Sequence, residues 1–275
     1  MSYSELIQKI NPGQGQGEIV RKFARPEILS WLAEIDKVTG KPKGEVLLDG
    51  RNRVVALKLP VVLGGEEEVV VKHFRLRGLA KVRAGLVRSK ARRAFYGALA
   101  LKQAGIATPE PFAYLTKKGR CWTEAEYYIA LRVRGKEEVR VLFRTLPEPE
   151  LLALLRDMAR FLRRLHECQF VHRDLSDGNV LASRRAGDSW DFCLLDTNRL
   201  RKKKKITRYL GLKTLVRLGI PGRLQSYFIQ NYLQTTNLPR LAWLWYRFQK
   251  LSYTSWVRAK KFLRLRALAQ RLKIQ

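Results

Sequence analysis

Three residues stand at spacings that suit phosphoryl transfer. Asp174 and Asn179 lie five residues apart within residues 172–179 (HRDLSDGN), and Asp196 follows a short apolar run at 192–195. Transfer from ATP requires a carboxylate beside the attacking hydroxyl, and amide and carboxylate oxygens that hold magnesium. The H-R-D-x-x-x-x-N spacing is specific because it fixes three residue types at once. The alternative is a surface turn, since Asp, Ser, Gly and Asn favour turns anyway.

A lysine upstream adds a fourth candidate. Residues 69–74 (VVVKHF) form an apolar, β-branched strand pattern that carries Lys72 near its end. In a nucleotide-binding lobe this lysine would hold the α- and β-phosphates. Taken alone the signal is weak, because a lysine at a strand end commonly points to solvent.

The surrounding sequence predicts the elements that position these residues. Residues 1–25 look like a loose lead-in, because Pro12 and several glycines interrupt it. Residues 26–135 predict a β-rich lobe with one main helix at 89–104, which Gly105 ends. Residues 136–275 predict a helical lobe that contains the HRDLSDGN loop. The predicted strands are 45–48, 53–59, 69–74, 112–115, 125–133 and 190–195, and the other predicted helices are 26–35, 149–168, 209–218, 224–234 and 238–274.

Composition limits the class of protein. The chain has 275 residues, of which 46% are hydrophobic, enough for one large domain or two lobes with a sizeable core. It has no apolar run of transmembrane length, and its N-terminus lacks the apolar core of a signal peptide. The three cysteines, Cys121, Cys168 and Cys193, lack C-x-x-C spacing, which argues against a structural zinc site. We therefore expect a protein of the reducing cytoplasm.

The charge is strongly and unevenly positive. The formal net charge is +31, and the 79 residues after Asp196 contain 20 Lys and Arg but no Asp or Glu. A field of this strength indicates an anionic partner, which could be a nucleic acid, an anionic membrane face or a phosphorylated substrate. Aromatic residues alternate with cations from Trp243 to Phe262. That pattern fits either a membrane-interface helix or a helix that buries its aromatics in the lobe.

The order of these features resembles a protein-kinase-like fold. The expected class is α+β with two lobes: an antiparallel β-rich N-lobe with one main helix, then a helical C-lobe. A narrower resemblance is to the bacterial lipopolysaccharide kinases, which include the core heptose and Kdo kinases, and it covers roughly residues 40 to 235. The residues that carry it are 89–95 (SKARRAF), 105–111 (GIATPEP), 172–179 (HRDLSDGN) and 194–199 (LLDTNR).

The resemblance implies a role for each candidate residue. Asp174 would be the catalytic base, Asn179 and Asp196 would bind magnesium, and Lys72 would bind the phosphates of ATP. Basic residues near the loop would receive an anionic or lipid-linked sugar, and they are Arg173, Arg199 and Lys202. The implied cofactors are ATP and Mg²⁺. The implied reaction phosphorylates a heptose or Kdo hydroxyl of the lipopolysaccharide inner core at the cytoplasmic face of the inner membrane.

Departures from an ordinary kinase keep other interpretations open. There is no G-x-G-x-x-G, and the hairpin in the phosphate-loop position offers only Gly50. Helix 89–104 contains no acid that could pair with Lys72, and Thr197-Asn198 stands where Phe-Gly is usual. One alternative is a kinase of a protein or of another small molecule. Another is a decayed kinase scaffold that binds membrane or RNA, although nucleic acid is the less favoured partner.

Overall fold

The computed structural model describes residues 3–40, 44–60, 68–76, 89–119, 123–185 and 187–271. The chain divides into two compact units. The first comprises Met1–Lys136 together with Cys193–Leu200, and the second comprises Glu137–Phe192 together with Arg201–Gln275. The segment that carries Asp196 therefore belongs to the first unit, whereas a single division after residue 135 would assign it to the second.

An antiparallel sheet with helices forms the first unit. Seven of the described strands pair in the order β1-β2-β6-β7-β5-β4-β3. In chain order the elements are α1 (Tyr3–Leu6), β1 (Ile7–Ile10), β2 (Gly15–Val20), α2 (Pro26–Ala33), α3 (Ile35–Gly40), β3 (Glu45–Asp49), β4 (Arg53–Lys58), β5 (Glu68–Arg75), α4 (Lys90–Gln103), β6 (Pro111–Lys118) and β7 (Thr123–Leu131).

The expectation of a loose N-terminal lead-in was wrong. β1 pairs with β2, and β2 pairs with β6 from Gly15 opposite Lys117 to Ile19 opposite Ala113. The glycines that looked like chain breakers have a packing role instead. A Cβ on Gly17 would collide with the backbone carbonyl of Tyr114, so only glycine permits this approach of the two strands.

Local sequence explains the central strand and the main helix. Val69 and Val71 of β5 are buried and point to the same face of the strand, as the two-residue period of a strand requires. Ser89 caps the start of helix α4, because its side chain accepts a hydrogen bond from the backbone N–H of Arg92 at 3.1 Å. The helix ends before Gly105, which adopts a φ of 67°. The apolar face of α4 packs on the sheet through Ala91, Phe95 and Leu99.

Helices dominate the second unit. Its elements in chain order are β8 (Glu137–Glu138), α5 (Val139–Thr145), α6 (Glu148–Glu167), β9 (Phe170–His172), β10 (Val180–Arg184), β11 (Trp190–Leu194), β12 (Leu200–Lys202), α7 (Arg208–Leu215), α8 (Gln225–Leu233) and α9 (Arg240–Arg271). Strands β11 and β12 each extend across the boundary between the units. Helix α5 was not predicted, because seven residues are too few for a clear 3.6-residue period.

The long helix α6 has the apolar face that its sequence predicts. Leu151, Leu155, Met158, Leu162 and Leu165 are all buried. The antiparallel sheet with one main helix, followed by a mainly helical unit, confirms the predicted α+β class. No helix in the described ranges has the length and apolar character needed to span a membrane.

His166, on the buried face of α6, is part of a polar cluster in the second unit. Its Nδ1 lies 2.8 Å from the hydroxyl of Tyr232 on α8, and its Nε2 lies 3.1 Å from the hydroxyl of Thr214 on α7. Burial lowers the pKa of His166 to about 4. The neutral ring therefore joins three helices, and protonation is unfavourable in the folded state.

This burial predicts an acid-sensitive stability. Below pH 6.5 the unfolded chain protonates His166, whereas the folded chain binds that proton only near pH 4. Stability from this group is therefore present above pH 6.5 and is lost as the pH falls towards 4. From pH 7 to pH 5 we expect wild type to lose about 2 kcal/mol more than His166→Gln in urea unfolding. Equal losses in the two proteins would contradict the assignment.

Candidate active site

Lys72 and Asp196 meet in the first unit. Lys72 lies on β5, and its Nζ forms an ion pair with Oδ1 of Asp196, 124 residues later in the chain. Both side chains are only 20% exposed, so water screens this pair less than a surface pair. Two of the four sequence-predicted positions are thus neighbours, and Asp196 supplies the carboxylate that helix α4 lacks.

The backbone around Asp196 is fixed on both sides. Asp196 adopts the left-handed conformation, with φ 55° and ψ 46°, which is uncommon for a residue other than glycine. Before it, the backbone N–H of Leu194 donates to the carbonyl of Ala107 at 2.9 Å. After it, the hydroxyl of Thr197 donates to the carbonyl of Ala94 on α4 at 2.7 Å. Such an unusual conformation persists where the surrounding contacts define it, and it is frequent at functional sites.

Gly97 allows the turn of Asp196 to lie against α4. A Cβ at residue 97 would stand 2.6 Å from the carbonyl oxygen of Thr197. Burial raises the pKa of the neighbouring Tyr128 hydroxyl above its usual range, although a hydrogen bond with Thr197 opposes this. The turn is therefore packed on one side against a helix that can approach only because residue 97 has no side chain.

Glu126 is a buried acid of β7 whose carboxylate binds the start of helix α4. This carboxylate is 1% exposed and accepts the backbone N–H groups of Lys90 at 2.7 Å and Ala91 at 3.2 Å. A carboxylate at a helix N-terminus satisfies otherwise unpaired donors and interacts favourably with the helix dipole. The first unit thus uses a strand acid to fix the start of α4 on the sheet.

The hairpin between β3 and β4 is held by side chains. Asp49 pairs with Arg75 at 2.7 Å, and Nη1 of Arg75 also donates to the carbonyl of Gly50 at 3.1 Å. The turn at the phosphate-loop position is therefore tied to the end of β5 through an arginine. This arrangement differs from a glycine-rich loop, in which backbone N–H groups cradle the phosphates.

Asp174 and Asn179 meet in the second unit. The side-chain amide nitrogen of Asn179 donates to the backbone carbonyl of Asp174 at 2.7 Å. The same carbonyl accepts the N–H of Ser176 at 2.9 Å, and a short 3₁₀ turn, Asp177–Asn179, completes the loop. Because its nitrogen is engaged inside the loop, the side-chain oxygen of Asn179 is the atom suited to a metal ion.

Asp177 anchors this loop, a role that the sequence did not reveal. Its carboxylate pairs with Arg140 of α5 at 3.6 Å, and its side chain is 18% exposed. Two glycines make room for these contacts. A Cβ on Gly178 would stand 2.6 Å from the guanidinium of Arg140, and one on Gly219 would stand 2.6 Å from Oδ2 of Asp177.

Arg217 is the residue that sequence reasoning missed. It follows α7, and its Nη1 forms an ion pair with Oδ1 of Asp174. The two side chains are 30% and 37% exposed. Nothing in the sequence distinguishes Arg217 from the other cations after Asp196, because the 43-residue separation from Asp174 is bridged only in the folded unit.

The three candidate acceptor-binding residues are distributed between the units. Arg199 belongs to the first unit, whereas Arg173 and Lys202 belong to the second. All three are exposed, and Nζ of Lys202 lies 5.8 Å from the centre of the Phe170 ring. Exposed cations in these positions are accessible to an anionic ligand.

The fold and the two residue pairs define a kinase-like protein. The chain resembles the solved structure of "WaaP in complex with acyl carrier protein" with a TM-score of 0.56 and 16% sequence identity. The likeness covers 78% of this chain and 91% of that one, and supports a shared fold. No curated protein matches the sequence. Residues 70–220 match the family model described as "Lipopolysaccharide kinase (Kdo/WaaP) family".

The chain therefore belongs to the lipopolysaccharide kinase (Kdo/WaaP) family and is an ATP-dependent kinase. The family confirms the resemblance drawn from HRDLSDGN and LLDTNR, and it excludes a fold unrelated to kinases.

The donor set of the first unit fits a magnesium–nucleotide complex. Magnesium prefers carboxylate and other oxygen ligands, and the ammonium group of a lysine suits phosphate oxygens. Lys72 and Asp196 supply one group of each kind, already in contact and shielded from solvent. Within this unit, Asp196 is the oxygen donor that could hold the metal ion, and Lys72 is the cation that could hold the phosphates.

The Lys72–Asp196 pair generates a ligand-binding prediction. We expect Mg-ATP to raise the melting temperature of wild type by several degrees, since a ligand that binds only the folded state stabilises it. Asp196→Ala should abolish the shift, and Lys72→Met should reduce it. Asp191→Ala is the matched control, because it removes an exposed carboxylate from β11, the strand that precedes Asp196. Equal shifts in wild type and Asp196→Ala would contradict a role for this carboxylate in nucleotide binding.

Proposed function

We propose that the protein transfers the γ-phosphoryl group of ATP to a sugar hydroxyl of the lipopolysaccharide inner core, on a heptose or Kdo residue. The observation that carries the proposal is the loop of the second unit, where the side-chain amide of Asn179 donates a 2.7 Å hydrogen bond to the backbone carbonyl of Asp174. A carboxylate beside an oxygen donor for metal is the arrangement that this reaction requires.

Each chain residue has a defined task in this reaction. Asp174 accepts the proton of the sugar hydroxyl while that oxygen bonds to the γ-phosphorus. The bond from the γ-phosphorus to the bridging oxygen breaks, and its electron pair leaves with ADP. Asn179 and Asp196 are the residues that would hold the metal ion, and Lys72 is the residue that would hold the phosphates. When bound, magnesium neutralises charge on the phosphate oxygens. Arg173, Arg199 and Lys202 attract the anionic acceptor.

The charge distribution supports an anionic saccharide as acceptor. The chain carries +31, and its sequence after Asp196 has no acid. Inner-core sugars of this kind bear carboxylates or phosphates, which such a surface attracts. This field would repel cationic small molecules and would favour only acidic proteins, so these acceptors are the second candidates.

Asp174→Asn tests the proposed chemistry. We expect the variant to lose about 100-fold or more in kcat with labelled ATP and a panel of core oligosaccharides, because proton acceptance contributes roughly 10²–10⁴-fold. Asp188→Asn is the matched control, since that carboxylate is 84% exposed and lies outside the loop. Transfer by wild type to no sugar in the panel would count against the proposed acceptor. Equal rates in Asp174→Asn and wild type would contradict the assignment of the base.

We also propose that the protein acts at the cytoplasmic face of the inner membrane, and the exposed surface of helix α9 supports binding to a membrane. Helix α9 exposes a stripe of apolar side chains along one face. The positions repeat at helical spacing, and each side chain is between 57% and 72% exposed. The residues of this stripe are Leu241, Leu244, Phe248, Leu251 and Phe262. The opposite face of the helix buries Ala242 and Tyr246. The aromatic residues of this helix therefore fall into a buried set and an exposed set, a division that the sequence alone could not make.

Cations border the stripe. Arg240, Arg247 and Arg258 are exposed, and their spacing of seven and eleven residues places them along one edge of it. Trp256 is exposed on the other edge, and Lys260 lies 4.8 Å above its ring. A long apolar stripe with arginines and a tryptophan beside it suits the boundary of an anionic bilayer. A second copy of the chain is a poor occupant, because two acid-free surfaces repel each other.

Vesicle binding tests this location. We expect wild type to sediment with vesicles that contain phosphatidylglycerol, and to do so less at high salt. Leu244→Ser with Phe248→Ser should weaken binding about tenfold or more, since each change removes an apolar group from the interface. Val46→Ser with Leu48→Ser is the control, because it removes exposed apolar groups from β3.

Other outcomes would contradict the membrane proposal. Equal binding to uncharged phosphatidylcholine vesicles would contradict an electrostatic contribution to membrane binding. The solved relative is in complex with acyl carrier protein, so an acidic carrier protein serves as competitor. A stripe that binds this protein and no vesicle would be a protein-docking surface.

A further inference from the structure

We infer that Arg217 is a positioning residue of the catalytic loop, and that helix α9 holds it in place through Lys250 and Tyr253. The inference rests on the proposed function, because it takes Asp174 as the base. All the residues involved belong to the second unit. They link the base to a helix that the sequence gives no reason to associate with catalysis.

Arg217 fixes one oxygen of the Asp174 carboxylate. Its Nη1 donates to Oδ1, which leaves Oδ2 as the oxygen that can accept a proton. An unrestrained aspartate rotates about two side-chain torsions, so a bond to one oxygen restricts where the other points. Charge-assisted bonds from arginine to a carboxylate are short and directional, which suits this task.

The guanidinium itself is held against a ring. Its central carbon lies 5.2 Å from the centre of the Tyr253 ring on α9. Arginine stacks well on aromatic rings, and the attraction grows where water is partly excluded. Tyr253 is half-buried, so the ring presents a fixed surface on which the planar group can rest.

Lys250 fixes the backbone on both sides of Arg217. Its Nζ donates to the carbonyl of Val216 at 2.7 Å and to the carbonyl of Leu218 at 2.7 Å. Burial lowers the pKa of Lys250, and the nearby Asp177 carboxylate opposes that effect. Placing a lysine here costs free energy of desolvation, which the two bonds to carbonyl groups offset. Those bonds also restrict the direction in which the side chain of Arg217 extends from the backbone.

The same segment touches the loop a second time. Gly219 lies against Asp177, which in turn pairs with Arg140. Residues 216–219 therefore contact the loop at Asp174 and at Asp177, and they contact α9 at Lys250 and at Tyr253. Contacts with four partner residues on two sides make this segment a connector between the loop and α9 rather than an ordinary turn between helices.

Kinetics on the full-length protein test the inference. We expect Arg217→Ala to lower kcat about 100-fold, because a misplaced catalytic group costs that much. The KM for ATP should change less than about twofold, since the phosphate-binding residues are untouched. Added guanidine should restore part of the rate. Lys250→Met should lower kcat about tenfold, and Tyr253→Ala should also lower it. Tyr253→Phe keeps the ring and should retain the wild-type rate.

Several results would overturn the inference while leaving the proposed function intact. An Arg217→Ala protein with normal kcat and a raised KM for the sugar would make Arg217 an acceptor-binding residue. A lowered melting temperature with normal kcat in the folded protein would make the contact purely structural. A loss of rate that guanidine does not restore would also contradict a positioning role. Failure of wild type to phosphorylate any sugar would instead count against the proposed function.

Discussion

The first unit depends on keeping one carboxylate, that of Asp196, beside a lysine 124 residues earlier in the chain. Bringing these groups out of water is costly unless each is paired. Much of the neighbouring structure serves this contact. Thr197 bonds to α4, Gly97 allows the close approach, and Glu126 fixes the start of that helix on the sheet. Helix α4 thus supports the site through its backbone and its missing side chain rather than through an acid.

Scarcity of acids shapes the rest of the molecule. The chain has 24 acidic residues against 55 basic ones, so each carboxylate can serve more than one donor. Glu110 pairs with Lys22 and Lys102. Burial raises the pKa of Glu110, but the two lysines outweigh it and the pKa is lowered overall. Asp36 accepts from Lys117 and from the hydroxyl of Tyr127. In such a chain the position of an acid is more informative than the position of a base, because bases outnumber acids by more than two to one.

The sequence predicts whatever depends on local pattern. Regular leucine spacing predicted α6, Gly105 predicted the end of α4, and the loop motif predicted that Asp174 and Asn179 act together. The family match supports the kinase interpretation that these motifs suggested. Contacts between backbone segments far apart in the chain could not be predicted in this way. β1 and β2 looked like a loose segment because Gly17 is read locally as a breaker, although it is required by Tyr114 on a strand nearly a hundred residues away. The role of Arg217 was not predicted for the same reason, since one arginine among many has no local signature.

The chain passes between the two units three times, after Lys136, after Phe192 and after Leu200. The eight residues from Cys193 to Leu200 complete the first unit although they are synthesised after much of the second. On the ribosome, Lys72 must therefore emerge long before its carboxylate partner exists, and the first unit cannot finish folding until the loop with Asp174 has also been made. Such interleaving prevents the units from being exchanged between proteins as contiguous modules. It ties the inheritance of the phosphate-binding lysine to that of the catalytic loop.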